Sequence, residues 1–363
     1  MSGRLRTVRV ELGERSYPIR IGTGSLPRLG RAVARATGAA RAMLITEPPV
    51  NRRYGAAVMR SLRDAGLRPK RFLVPSGDRT KNLRQAGKLY EALLEAGADR
   101  SSVVVALGGG MVGDLSGFVA ATLLRGVSFV QVPTTILAMI DSAVGGKTGV
   151  NLPQGKNLVG AFHQPRLVWE DTDVLHSLPM RVRAAGMAEV IKHAAMWDPV
   201  LFTRLERDVE RVLALEAGVI APVLERAVRV KAEVVSLDER EGGLRMLLNF
   251  GHTLGHCVEA LKGYRGVLHG EAVAMGMGFA AHRSEELGFA PKGTADRLIA
   301  LLRRAGLPTE LPDFPRRAYL GALAVDKKKR DARIHFVVLR GIGRADTVPL
   351  LPREVLPAGS LRR

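Results

Sequence analysis

The sequence predicts an α/β protein: residues 1–177 form a mostly parallel sheet covered by helices, and residues 178–363 form a mainly helical region with a small hairpin near its end. Three observations carry this. Short apolar runs alternate with amphipathic stretches through the first half of the chain, a glycine-rich turn follows a buried run, and from about Pro179 the apolar period becomes that of a helix. The opening "MSGRLRTVRVELGERSYPIRIG" alternates polar and apolar residues as an edge hairpin does. Then come "AMLIT" (42–46), an amphipathic stretch to about Gly66, "RFLVP" (71–75), a helix around "LRQAGKLYEALLEAG", and the runs "SVVVAL" and "VSFVQVP". Helical periodicity follows, clearest in "VLFTRLERDVERVLAL" and "DRLIALLRRAGL", until "ARIHFVVLRGIGRADTVPL" returns a hairpin-like pair. The turn-rich stretch between Asp171 and Pro179 is the expected boundary.

Composition narrows the function. A chain of 363 residues, 46% hydrophobic, is long enough for two packed domains. The net charge of +20 invites nucleic-acid binding, yet the cations are scattered and aromatics are only 5%, so a generally cationic surface that attracts anionic small molecules is the expectation. Only 12 of the 55 basic residues are Lys, and Lys147, Lys156, Lys192, Lys231 and Lys327 fall inside the polar segments described next, where a compact ammonium is wanted. Cys257 is the single cysteine, which rules out an internal disulfide and leaves nitrogen and oxygen as metal ligands. The start has no apolar signal-like core and no run long enough to span a bilayer follows it, so a cytoplasmic protein without membrane partners is expected.

After "SVVVAL" comes "GGGMVGDLSGFVAAT", where Gly108, Gly110 and Gly113 satisfy G-x-G-x-x-G at a strand-to-helix junction. Glycines there let the backbone approach a pyrophosphate, which the helix N-terminus stabilises, so the domain is expected to be Rossmann-like and nucleotide-binding. The fingerprint is imperfect, because it follows a late strand and no acidic residue stands about 20 positions on. "VPTTILAMIDSAVGGKTGVN" and "GKNLVGAFHQP" follow, read as one helix and one long polar loop. They do not have P-loop spacing.

The second half carries histidines. His252 and His256 in "NFGHTLGH" are i and i+4 on one helix face, and His269 opens "HGEAVAMGMG". Glu189 and Lys192 stand one turn apart in "AAGMAEVIKHAAM". Two histidines and a glutamate from three helices would make a catalytic Zn²⁺ or Co²⁺ site with an open position. The H-E-x-x-H protease form is absent, and spacing alone does not decide between His252 and His256.

Together these strings, with "AGMAEVIKHA", "LNFGHTLGHCVE" and "HGEAVAMGM", resemble the 3-dehydroquinate synthases, sugar-phosphate cyclases of the shikimate pathway, from about Leu73 to Lys328. The resemblance implies an N-terminal NAD-binding domain, a helical metal- and substrate-binding domain, an active site between them, and a homodimer. Carried over by position, it makes Glu189, His252 and His269 the metal ligands and His256 a catalytic group. It sets Asp141, Lys147, Asn157, Lys192, Lys231, Arg245 and Asn249 around the substrate, Lys327 near its phosphate, and Arg125 in a neighbouring subunit's site. Gly109, Gly110, Asp114, Thr134, Thr135 and Lys156 would line NAD, with Asp78 and Lys81 from "PSGDRTK" as further nucleotide contacts. Asp78 stands where the family usually has Glu, and Cys257 where a small residue is usual.

The implied reaction converts 3-deoxy-D-arabino-heptulosonate 7-phosphate to 3-dehydroquinate and phosphate. It runs by transient NAD-dependent oxidation at carbon 5, phosphate elimination, re-reduction, ring opening and intramolecular aldol closure. A metal-dependent glycerol or alcohol dehydrogenase is the nearest rival, but it does not need Lys147, Asn157, Lys231, Arg245 and Lys327 together. A related cyclase with a substrate lacking the carboxylate would be expected to differ around Lys231, Arg245 and Asn249.

Overall fold

A computed structural model describes residues 5–325 and 333–359. By its internal contacts the chain divides into two units, 1–178 with 220–236, and 179–219 with 237–363. The first division falls one residue from the expected boundary at 177/178, and the helix at 220–236, which follows that boundary in sequence, is grouped by its contacts with the first unit.

The first unit is built on a seven-stranded sheet. Its strands are β1 (Arg6–Val10), β2 (Tyr17–Gly22), β3 (Arg41–Thr46), β4 (Arg68–Leu73), β5 (Val103–Gly108) and β6 (Ser128–Pro133), completed by Leu167–Asp171, with a separate hairpin between the last two. That hairpin pairs β7 (Lys147–Leu152) with β8 (Gly155–Phe162), so Leu167–Asp171 is β9. The order is β1-β2-β9-β6-β5-β3-β4, parallel except for β1, which runs antiparallel to β2 at one edge. Every residue of β5 and β9 is buried, as strands covered on both faces must be. At the opposite edge β4 begins three residues earlier than the apolar run suggests, because its cations, Arg68, Lys70 and Arg71, keep the open edge solvated. The glycine and polar stretch expected to be a long loop is the β7–β8 hairpin.

Helices α1 (Leu29–Thr37), α2 (Ala56–Asp64), α3 (Leu83–Glu95) and α4 (Gly110–Thr122) cover this sheet. Val112, Leu115, Phe118 and Val119 of α4 join Leu89 and Leu93 of α3 over Met43, Ile45, Val104 and Ala106 in one apolar cluster. The approach of α4 to β7 requires glycine: a Cβ on Gly117 would lie 2.4 Å from Thr148 Cγ2.

The second unit holds α5 (Met180–Trp197) and α6 (Pro199–Leu213). After α7 (Ile220–Leu237), which except for its last residue belongs to the first unit, come α8 (His252–Leu261), α9 (His269–Glu286), α10 (Thr294–Arg304), α11 (Arg316–Val325) and the hairpin β10 (Ile334–Gly341) with β11 (Arg344–Leu350). Small residues let α5, α8 and α9 meet closely. A Cβ on Gly270 would lie 1.8 Å from the Ala185 carbonyl oxygen, and one on Gly276 would lie 1.9 Å from that of Gly251. No helix among the described residues is long and apolar enough to cross a membrane.

Two outcomes follow. Gly270→Ala forces α9 away from α5 and is expected to cost about 2 kcal/mol or more in a urea titration. Glu170, fully buried in β9 with neither carboxylate oxygen hydrogen-bonded, is held by burial well above the usual carboxylate range. Below the unfolded-state value both states are protonated; as pH rises towards the folded value only the unfolded chain releases the proton, so stability falls. Glu170→Gln is therefore expected to gain on the parent between pH 5 and 8, by at most about 1.4 kcal/mol per pH unit, read by urea denaturation at each pH.

Candidate metal centre and polar network

In the second unit, Glu189 from the middle of α5, His252 from the first residue of α8 and His269 from the first residue of α9 converge, with one ligand atom of each within 4.8 Å of the others. His252 Nε2 lies 3.8 Å and His269 Nε2 4.0 Å from Glu189 Oε1. Their other ring nitrogens are engaged: His252 Nδ1 with the Phe250 carbonyl and His269 Nδ1 with Glu259 Oε2, each at 3.3 Å. A proton on each Nδ1 leaves the Nε2 lone pairs aimed at the same place as the carboxylate, which is the arrangement of an imidazole metal ligand with its outer partner.

Glu189 has no exposed surface, and neither of its oxygens accepts a well-aligned hydrogen bond. Its charge partner is Lys192 Nζ, also buried. A carboxylate so placed, facing two imidazole nitrogens, fits a divalent cation bound by nitrogen and oxygen. Geometry also separates the two histidines that spacing left equivalent. His256 is exposed one turn along α8, its ring 5.3 Å from that of His252 and 6.2 Å from that of His269, beside the ligand set and outside it.

Arg245 and Asn249 lie in the turn Leu244–Asn249 that leads into α8. Buried Arg245 donates through Nη1 to the Glu239 carbonyl, and its amide donates to Asp238 Oδ2 at 3.0 Å. This amide bond, with those of Gly242 and Gly243, holds Asp238 below the usual carboxylate range. Asn249 Nδ2 donates to Glu241 Oε1 at 3.3 Å; it does not cap α8, whose N-cap is Gly251 in the left-handed region.

Apart from Lys327, the remaining expected residues belong to the first unit. Gly109 is the N-cap of α4, a Cβ there would stand 3.4 Å from Thr135 Cγ2, and the Thr134 amide donates to the Gly108 carbonyl, so the threonines abut the glycine turn. Gly110 follows at the first position of α4. Asp114, one turn into α4, accepts from Lys81 Nζ at 2.8 Å, and Lys81 also donates to Asn157 Oδ1 at 2.6 Å. Burial raises the Asp114 pKa against the opposing charge of Lys81. Lys156 Nζ lies 3.6 Å from Asp78 Oδ2. Asp78, Lys81, Asp114, Lys156 and Asn157 thus form one network, although the sequence divides them between cofactor and substrate.

Asp141 sits in the wide helical turn Ala138–Ser142, where Lys231 of α7 donates to its carbonyl at 2.7 Å and to its carboxylate. Lys147 is exposed at the start of β7. Arg125 is exposed after α4 in the left-handed region, outside the network. Lys327 lies outside the described residues. Sequence reasoning missed Glu259, Glu241 and Asn151, single polar residues whose partners are distant in sequence or in unforeseen turns.

Sequence models of the 3-dehydroquinate synthase N-terminal and C-terminal regions match residues 71–185 and 186–329. The chain belongs to the 3-dehydroquinate synthase family. It is 47% identical to the 3-dehydroquinate synthase of Nostoc punctiforme over 96% of this chain and 97% of that one. The synthase of Geobacter metallireducens is 49% identical over 93% and 94%. Among solved structures, a 2-deoxy-scyllo-inosose synthase complexed with carbaglucose-6-phosphate, NAD⁺ and Co²⁺ superposes with a TM-score of 0.86 at 25% identity, covering 96% of this chain and 98% of that one. The 2-epi-5-epi-valiolone synthase of Streptomyces hygroscopicus, with NAD⁺ and Zn²⁺ bound, gives 0.85 at 29%, covering 97% of each. A probable glycerol dehydrogenase of Sinorhizobium meliloti, at 18% identity and a TM-score of 0.64 over 92% of each chain, shares the fold alone.

Removing the outer carboxylate tests this centre. Glu259→Gln is expected to weaken Zn²⁺ affinity about 10–100-fold, measured by competition with a chromophoric chelator.

Proposed function

We propose that the chain converts 3-deoxy-D-arabino-heptulosonate 7-phosphate to 3-dehydroquinate and phosphate. The observation that carries this is the convergence of Glu189, His252 and His269 in a chain matched across both regions by the synthase family. When bound, NAD supplies transient oxidation of the carbon 5 alcohol and Zn²⁺ or Co²⁺ polarises its oxygen.

The chain's own residues do the rest. Glu189, His252 and His269 hold the ion, while Lys192 offsets the carboxylate's charge and reaches towards the reacting hydroxyls. His256, beside the ligands and exposed, carries protons, since an imidazole titrates near operating pH. Arg245, Asn249, Lys231, Asn157 and Lys147 bind the substrate's oxygens, with Asp141 orienting Lys231. Lys327 and Arg125 take the phosphate through charge-assisted hydrogen bonds, Arg125 in the site of a second copy. Asp78, Lys81, Asp114, Lys156, Thr134, Thr135 and the amides of Gly109 and Gly110 bind NAD. In this reading NAD is bound by residues 1–177 and the metal by 178–363, each stretch of sequence also supplying substrate contacts, in a cytoplasmic homodimer without nucleic-acid partners. The dehydrogenase alternative has only the likeness in fold to support it.

With NAD⁺, Zn²⁺ or Co²⁺ and the heptulosonate phosphate, the purified protein is expected to release phosphate and 3-dehydroquinate in equal amounts without net NADH. Glu189→Gln should lower kcat about a thousandfold or more, some 4 kcal/mol of lost charge stabilisation. Steady NADH accumulation with a simple polyol, and no phosphate release, would contradict the reading.

A further inference from the structure

We propose that Asn151 is a positioning residue for the nucleotide: it locks the β7–β8 hairpin to the 78–82 turn, so that Lys81, Lys156 and Asn157 are presented together. The inference rests on the NAD role proposed for Asp78, Lys81, Asp114 and Lys156.

Asn151 sits where the β7–β8 pairing changes register, between Val150 and Leu152. Opposite it three residues of β8, 156–158, stand between two successive pairs, so Asn151 is left without a partner position in its own ladder. Here the freed backbone joins another segment: the Asn151 amide donates to the Lys81 carbonyl at 2.8 Å, and Asn151 forms a parallel bridge with Asn82. The side chain then works in both directions. Its Nδ2 donates to Asp78, at 3.3 Å to the carbonyl and 3.2 Å to Oδ2, and its Oδ1 accepts the Asn157 amide at 3.0 Å.

The bond to Asn157 reaches a residue whose backbone is unusual. Asn157 has φ of +56°, a left-handed conformation that asparagine tolerates better than most residues but that still needs support. In that conformation its Oδ1 meets Lys81 Nζ, which also holds Asp114 on α4. The adjacent Lys156 faces Asp78, the acid to which Asn151 donates. One amide thus closes a ring of contacts through the 78–82 turn, the hairpin and α4. A side chain without both a donor and an acceptor cannot close it.

The roles of donor and acceptor at positions 151 and 78 can be exchanged, which gives a test that general loss of fold does not mimic. The zinc-loaded protein is titrated with NADH, binding is followed by nicotinamide fluorescence, and thermal unfolding is recorded for each variant. Asn151→Ala is expected to raise the NADH Kd about tenfold or more. Asn151→Asp should do the same in the parent, where two carboxylates then face each other. In an Asp78→Asn background the same change should raise Kd less than twofold, because the amide placed at 78 donates to the carboxylate at 151. An equal effect of Asn151→Asp in both backgrounds, or an unchanged Kd for Asn151→Ala, overturns the proposal. Lys81→Ala separates the two levels. If it weakens NADH binding while the Asn151 variants do not, only the positioning role fails; if it too leaves Kd unchanged, the assignment of this network to NAD fails and the proposal with it.

Discussion

A buried negative charge organises the second unit. Glu189 has no exposed surface, and burying a charge is costly unless the opposite charge stands beside it. Lys192 supplies part of that charge. Oε1 and the two Nε2 atoms facing it fit a cation that supplies the rest, and this fit accounts for much of the local architecture. The helices must approach until three side chains from three segments meet, and the glycines at 270 and 276 allow it. Glu259 behind His269 and the Phe250 carbonyl behind His252 keep each ring turned the right way.

The first unit solves the complementary problem, holding several cations in place without letting them repel one another. Lys81 is neutralised by Asp114, Lys156 stands by Asp78, and Lys231 is held by Asp141. These ammoniums are fixed in place by acids and amides, which is the preorganisation that an anionic ligand requires. The register shift opposite Asn151 and the left-handed Asn157 are irregular backbone of the kind retained where other contacts support it.

Much of this was legible in residue order. Buried strands β3, β5 and β6 read as apolar runs, the glycine turn announced α4, and the histidine cluster announced a metal. What was hidden has physical causes. The start of β4 was missed because an edge strand carries solvated cations in place of an apolar pattern. The β7–β8 hairpin read as a loop because Gly145, Gly146 and Gly149, with the polar residues around them, obscure its alternation. Helix α7 shows its period but not its partner, so nothing in its sequence says that it packs with the first unit. His252 and His256 are equivalent by spacing; the resemblance chose His252, and the three-dimensional convergence independently favours it. Asn151 and Glu259 had no local signal, because each acts on a residue that only the fold brings near.

One divalent ion held by two imidazoles and one carboxylate, with a position left for substrate, has a spectroscopic signature of its own. X-ray absorption on the zinc-loaded protein addresses it directly. One zinc per chain is expected, with two imidazole nitrogens at about 2.0–2.1 Å and oxygen ligands completing a four-coordinate shell, reduced to a single histidine in His252→Ala and unchanged in imidazole count in His256→Ala. A third imidazole in the parent protein, or a zinc shell that His252→Ala leaves intact, would contradict it.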